Sequence, residues 1–458
     1  MRLPHAMRVA VVDVGKTNAK VALVDTGTLT EVAVRRTPNL VQPGPPWPHF
    51  DLNGLWDFIL GALAELQAAH GVDAISVTAH GASAVLLDAG GGLAAPMLDY
   101  EHDGPDGVAV EYDAIRPPFE ATGSPRLPMG LNLGAQLHWQ LAVDPGLRDR
   151  VAQVVTYPQY WSGRLTGVWR CEATSLGCHT DLWEPVAGRF SALKDRLGLP
   201  FAPLARADNV LGPVLPEVAA RTGLLPGTPV VCGIHDSNAS LYPHLLGRTP
   251  PFAVVSTGTW VISMAVGSAV PALDPARDTL INVAATGAPV PSARFMGGRE
   301  FERVAGEGPA PTEAEVASVL SRAAMLLPAV EPGSGPFAGR AARWTVPEVD
   351  LSPGKRTAAA SFYLAGMTAT CLRLTGAEGP VVLEGPMAAN RLLSGMLAAA
   401  TGRHVIAADG ATGTSIGSVL LVDPRAKSLE VGTRVDAPDE WADYADRWVA
   451  TVESCFDN

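Results

Sequence analysis

The segment Val230–Ser240 reads VVCGIHDSNAS, an apolar run that ends in Gly-Ile-His-Asp and passes into residues able to start a helix. Such a turn would put Asp236 at the carboxyl end of a strand, where α/β sheets place their ligands. A carboxylate there can accept the proton of an attacking hydroxyl. It can equally serve as the N-cap of the helix that follows, a common use of Asp at strand-to-helix turns. His235, next to it, could contact the same ligand or orient Asp236.

Two short hairpins suggest a second kind of chemistry. Residues 10–15 read AVVDVG and residues 253–258 read AVVSTG; each is a strand ending in a tight Gly turn, with a second apolar strand at Ala19–Val24 and at Val261–Val266. The tips, Gly15-Lys16-Thr17-Asn18 and Thr257-Gly258-Thr259, are small and rich in hydroxyl or amide groups. Facing one another across a cleft they would clamp a phosphate from two sides; two ordinary hairpins would look the same. Lys16 and Lys20 are two of the five lysines in the chain, and both fall at the first tip. Cations and backbone N–H groups thus converge where a phosphate would lie.

These residues need a scaffold, and 458 residues exceed what one core supports, so two domains are expected. Short β-branched runs alternate with amphipathic helices, which argues for α/β units with parallel or mixed sheets. Between Leu55 and His70, the residues Leu55, Trp56, Ile59, Leu60, Leu63 and Leu66 recur at three- and four-residue steps and mark one buried helix face. A strand at Ala74–Thr78 leads into Ala79-His80-Gly81. Residues 380–384 read as a strand, Gly385-Pro386 as a turn, the following stretch to about Ala400 as a helix, and His404–Ala408 as a second strand, a βαβ unit. The stretch 411–417, ATGTSIG, reads as a loop before a further apolar helix. Proline punctuates 42–48, 116–118 and 248–251, and the last divides the chain into 1–247 and 248–458.

Composition narrows the partners. With 47% hydrophobic and 17% charged residues the chain is expected to fold throughout, and a net charge of −12 opposes binding to nucleic acid or to an anionic membrane. The first residues lead directly into a strand pattern, which reads as a cytoplasmic protein. Cys171, Cys178, Cys232, Cys371 and Cys455 form no CxxC pair and read as reduced thiols, buried or semi-exposed; Cys178-His179 lacks two further ligands for a metal.

Asp13–Lys20 (DVGKTNAK), Gly233–Ser240 (GIHDSNAS), Ser256–Trp260 (STGTW) and Leu383–Gly417 together resemble, in order and nearly end to end, the motifs of the FGGY carbohydrate kinases. The His-Asp pair and the STGTW hairpin are most similar to the rhamnulokinase and fuculokinase branch. The resemblance implies two duplicated actin-like domains, of the ribonuclease H-like kind shared with hexokinase and the Hsp70 ATPase, around a deep cleft. Sugar and catalytic base would belong to 1–247 and nucleotide to 248–458.

It further implies an ATP- and Mg²⁺-dependent kinase acting on a ketose, such as L-rhamnulose or L-fuculose, with a homodimer compatible with the family. Asp236 would be the general base, overriding the cap reading, and Asp13 the carboxylate that holds Mg²⁺. Thr17, Asn18 and Lys20 on one hairpin, and Thr257, Gly258 and Thr259 on the other, would meet phosphates, while Lys16 would either add a phosphate contact or point into solvent. Gly385, Asn390 and Gly413 would lie on the nucleotide, and His80, Gly81, Glu101, Gln136 and His235 on the sugar. Three departures stand out: His80 where relatives carry a large residue such as Trp, Ser83 where they often carry Asp, and Lys16 where many carry Thr. A pentulose or polyol kinase is the nearest alternative, and a non-catalytic sugar- or nucleotide-binding regulator the next.

Overall fold

The computed structural model describes residues 6–306, 308–408, 413–426 and 432–454. Cys455, Ala411 and Thr412 lie outside the described residues. The described residues within 1–247, 281–289 and 412–428 pack as one compact unit, and those within 248–280, 290–411 and 429–458 as a second.

In the first unit β1 (Arg8–Val14), β2 (Asn18–Asp25) and β3 (Thr30–Pro38) form an antiparallel meander. Helix α1 (Leu52–His70) then leads to β4 (Ala74–Ala79), which lies parallel to β1. Helix α1 begins a turn before the apolar periodicity placed it, because Asp51 caps it by accepting from the Gly54 amide and Leu52 is also buried. Much later come β5 (Val210–Pro213), β6 (Pro229–Val231), β7 (Ile234–His235) and α2 (Asp236–Gly247). The sheet order is β5-β6-β4-β1-β2-β3, with β7 also pairing with β4. Every residue of β4 is buried, as a strand covered on both faces requires.

The second unit repeats this plan. Strands β8 (Phe252–Thr257), β9 (Val261–Val266), β10 (Thr279–Val283, whose last three residues count with the first unit) and β11 (Pro289–Phe295) come first. Helix α3 (Pro353–Leu374), β12 (Val381–Glu384), helix α4 (Arg391–Thr401) and β13 (Val405–Ala408) follow. The sheet closes with β14 (Gly432–Val435), in the order β10-β11-β9-β8-β12-β13-β14. Read from the hairpin, β8 is antiparallel to β9 and parallel to β12, β12 is parallel to β13, and β13 is antiparallel to β14. Strands β1, β2, β4, β6 and β5 stand in the same order and senses. The short AVVDVG/AVVSTG match therefore marks a duplication of whole sheets.

Two segments of 248–458 pack with the first unit. One is the helix Thr414–Val422, the apolar helix expected after residue 417, which starts four residues earlier than that. Its Val419 packs with Val9, Val11, Ala22 and Val24, and its Leu420 and Leu421 with Ile234, Ala239 and Tyr242. A Cβ on Gly417 would stand 1.6 Å from the Ala239 carbonyl oxygen, so only glycine lets this helix cross α2 at backbone distance. The segment TSIGSVLLV announces burial in sequence but not the surface it is buried against. No helix among the described residues is long and apolar enough to cross a membrane.

Candidate active site

Three parallel strands of the first unit end side by side. Val14 at the end of β1 is in register with Ala79 of β4, and Ala79 with His235 of β7. The His80 amide donates to the Val14 carbonyl at 3.1 Å. This register gathers Asp13, His80, His235 and Asp236 on the carboxyl edge of one sheet, where α/β folds bind ligands.

Asp236 is the first residue of α2. Its Oδ1 accepts from the Ser237 amide at 2.6 Å and lies 3.3 Å from Nε2 of His235. Both contacts fall on the same oxygen, and the side chain keeps 30% exposure, so a hydroxyl can reach it. His235 is buried; its Nδ1 is 3.3 Å from Nδ2 of Asn238, and its backbone amide donates to Oγ1 of Thr174 at 3.1 Å. Burial alone would favour the neutral ring, but the adjacent Cys178 sulfur together with Asp236 and Glu172 raises the imidazole to about 9. Glu172, buried at the N-terminus of the short helix Ala173–Leu176, is itself pushed up to about 7 by burial.

Asp13 accepts from the Thr414 hydroxyl at 2.7 Å, and Lys20 stands 3.6 Å away, both on Oδ2. Its carboxyl is raised above the ordinary range by burial and by the charge of Asp236, against the lowering effect of Thr414 and Lys20. Two carboxylates that repel one another, one with its second oxygen uncommitted among the described residues, suit a divalent cation. Among the described residues no group of three or more His, Cys, Asp or Glu side chains could hold a metal alone. A single carboxylate completed by water and phosphate oxygens is the arrangement Mg²⁺ favours.

At the first hairpin tip Thr17 and Asn18 are exposed, as a ligand-facing turn requires. Lys20 is less available than expected, held 3.2 Å from Glu31 as well as near Asp13. Lys16 departs further, because its side chain leaves the tip. Its Nζ pairs with Asp99, lies 3.3 Å from Oε2 of Glu101, and sits 4.9 and 5.0 Å from the ring centroids of Phe50 and Tyr100.

His80 stands beside the same rings, 5.4 Å from Phe50, 5.3 Å from Tyr100 and 4.8 Å from Tyr157. Burial lowers it to about 4, so it is neutral, and its Nε2 has no hydrogen-bond partner among the described residues. Gly81 lies against the His235 ring and the Cys178 sulfur, while Glu101 is exposed. Gln136 takes a different place from the one expected. It is buried, and its amide donates to the Ala82 carbonyl at 2.6 Å and to that of Gly130, tying two loops together rather than presenting donors to a ligand.

In the second unit a cavity of about 620 Å³ is lined by Gly258, Thr259, Gly298, Arg299, Met387 and Asn390, among others. Thr257 stays out of it: its hydroxyl donates to the Glu384 carbonyl at 2.6 Å and accepts from the Met387 amide at 3.1 Å, joining the two parallel strands. Asn390 caps α4, accepting from the Leu392 and Leu393 amides at 3.1 Å, and donates to Ser361 at 3.0 Å. Gly385 adopts φ 87°, and a Cβ there would stand 2.1 Å from the Thr257 carbonyl. Gly413 falls elsewhere, at the N-cap of the Thr414–Val422 helix in the first unit, one residue from the hydroxyl on Asp13.

Sequence reasoning missed three participants. Asn39 clamps the first hairpin, its amide donating to the Thr17 carbonyl and its Nδ2 to that of Gly15, both at 2.8 Å. Gly298 and Arg299 follow β11 at the start of a helix over Gly297–Ala305, and the Gly297-Gly298 pair after an apolar strand was the signal for them. Asn39 carried no comparable signal.

A model of the N-terminal domain of the FGGY family of carbohydrate kinases matches residues 8–242, and one of the C-terminal domain of carbohydrate kinase FGGY matches residues 249–430. L-fuculokinase of Escherichia coli (strain K12) is 26% identical over 274 residues, 56% of this chain and 56% of that protein. L-xylulose/3-keto-L-gulonate kinase of the same organism is 24% identical over 258 residues, 52% of this chain and 50% of that protein. The chain thus spans about half the length of the curated relatives it matches. A carbohydrate kinase from Novosphingobium aromaticivorans, known from its crystal structure, is 36% identical and superposes with a TM-score of 0.89, covering 98% of this chain and 99% of that one. The repeated sheets are accordingly the actin-like fold of sugar kinases, and with one domain model on each half the chain belongs to the FGGY family of carbohydrate kinases.

Proposed function

We propose that the chain transfers the γ-phosphate of ATP to a hydroxyl of a ketose, with sugar and base on the first unit and nucleotide on the second. The observation that carries this is the meeting of Asp236, Asp13 and the β1–β2 tip at the ends of adjoining parallel strands. Asp236 takes the hydroxyl proton as the oxygen attacks phosphorus; the bond between that phosphorus and the bridging oxygen breaks, and ADP leaves. His235 holds Oδ1 of Asp236 and fixes its direction. Mg²⁺, when bound through Asp13, supplies charge neutralisation at the phosphates. In the second unit, the cavity at Gly258, Thr259, Met387 and Asn390 has the size for a nucleoside and sits at the matching ends of β8 and β12.

A 6-deoxyketohexose such as L-fuculose or L-rhamnulose is the first substrate class, supported by the L-fuculokinase relative. A pentulose is the second, favoured by the relative that acts on L-xylulose. The test is ADP release from Mg-ATP across L-fuculose, L-rhamnulose, L-xylulose, D-xylulose and glycerol. Turnover with one ketose supports the reading. ATP binding without turnover on any acceptor would overturn it in favour of a silent binding protein.

A further inference from the structure

We propose that Lys16 serves the sugar and not the nucleotide, forming with Glu101 a donor–acceptor pair that grips two adjacent hydroxyls of a neutral acceptor. This rests on the kinase reading above and assigns one residue within it. By its place on the hairpin Lys16 should face a phosphate; by its contacts it does not. Its ammonium is held by Asp99, whose side chain is only 9% exposed, and lies over the faces of Phe50 and Tyr100. An ammonium held by one buried carboxylate and two rings has little freedom to swing out to a phosphate. Asp99 also accepts from the Glu101 amide at 3.2 Å, so the same carboxylate positions both members of the pair.

Glu101 is the open member, its side chain 58% exposed and 3.3 Å from Nζ of Lys16. A lysine offers three donors and no acceptor, an ionised glutamate acceptors only. Side by side they complement neighbouring hydroxyls, each of which can donate and accept. Charge decides the ligand class. One cation between two carboxylates leaves the cluster net negative, which disfavours a triphosphate or a sugar acid and admits an uncharged polyol. The cluster adjoins the residues around the base: Tyr100, beneath the Lys16 ammonium, is 5.3 Å from the ring of His80, and the next residue, Gly81, packs against the ring of His235.

The test compares wild type with Lys16→Met, which keeps an apolar stem over the two rings, using whichever sugar of the panel is turned over. We expect KM for that sugar to rise at least about tenfold, with KM for ATP and the affinity for Mg-ADP by calorimetry within about twofold, and Lys16→Arg to recover part of the loss. A change in ATP or ADP affinity with sugar KM unmoved overturns the proposal and returns Lys16 to the phosphates. So does no change in either, or a preference of the wild type for sugar acids. Should Lys16→Met fail to fold, Lys16→Gln takes its place under the same criteria. Wild type that turns over no sugar removes the kinase reading itself, an outcome distinct from turnover that ignores Lys16.

Discussion

Nε2 of His235 stands 3.3 Å from Oδ1 of Asp236, so the proposed base is held by the residue immediately before it in the chain. The pairing needs a break between strand and helix at this point. Strand β7 ends at His235 and α2 starts at Asp236, which lets consecutive side chains turn toward each other. Replacing Asp236 by Asn keeps the contact with the Ser237 amide in shape but removes the proton acceptor. Turnover should fall by ~10²–10⁴-fold while Mg-ADP affinity is retained. Near-normal kcat in Asp236→Asn would remove Asp236 from the chemistry.

The imidazole of His235 gives this pairing a pH signature. Its value in the fold, about 9, is above the ordinary histidine value of 6.5, so the protonated ring stabilises the fold. That contribution is complete below pH 6.5 and is lost as pH rises through 9. Between pH 7 and 10 the Tm of wild type should therefore fall further than that of His235→Gln. Parallel curves would show that His235 is uncharged in the native state.

Gly385 is, with Gly298, one of the tight backbone approaches at the second unit's site. Alanine there must adopt φ 87° and place its Cβ 2.1 Å from the Thr257 carbonyl. The strands β8 and β12 would have to part, at an expected cost above ~2 kcal/mol in urea unfolding, with weaker ADP binding. Unchanged stability in Gly385→Ala would mean that the turn relaxes freely.

Asn390 is expected to act on stability first. Asn390→Ala removes the acceptor for two α4 amides, a loss of about 1 kcal/mol or roughly 2–4 °C in Tm. Restoration of Tm by Asn390→Asp, which can cap but cannot donate to Ser361, would separate capping from the Ser361 contact. If Asn390→Ala leaves Tm unmoved, the cap contributes nothing measurable.

Backbone-coded features were legible in the sequence. Hairpins with Gly turns, a strand ending in His-Asp and a helix with a buried stripe each follow from local pattern, and all are found where the residues placed them, give or take a turn. Side-chain direction was not. Lys16 is a hairpin-tip residue by position, but a neighbour of Asp99 by fold, because an ammonium on a long stem goes where a carboxylate and aromatic faces lie. Thr257 and Gln136 are polar residues near the sites whose hydrogen bonds are spent on the backbone, and only three-dimensional neighbours reveal this.

The helix Thr414–Val422 also governs when the first unit can mature. Its Thr414 reaches Asp13 across a separation of 401 residues, and its Val419 covers apolar residues of β1, β2 and β4. A ribosome delivers those strands long before it delivers their cover. During synthesis the sheet that carries Asp13 and Asp236 must wait with apolar surface exposed, a period in which nascent-chain chaperones have something to bind. Activity should therefore appear late in translation, even though most of the proposed sugar side is encoded early.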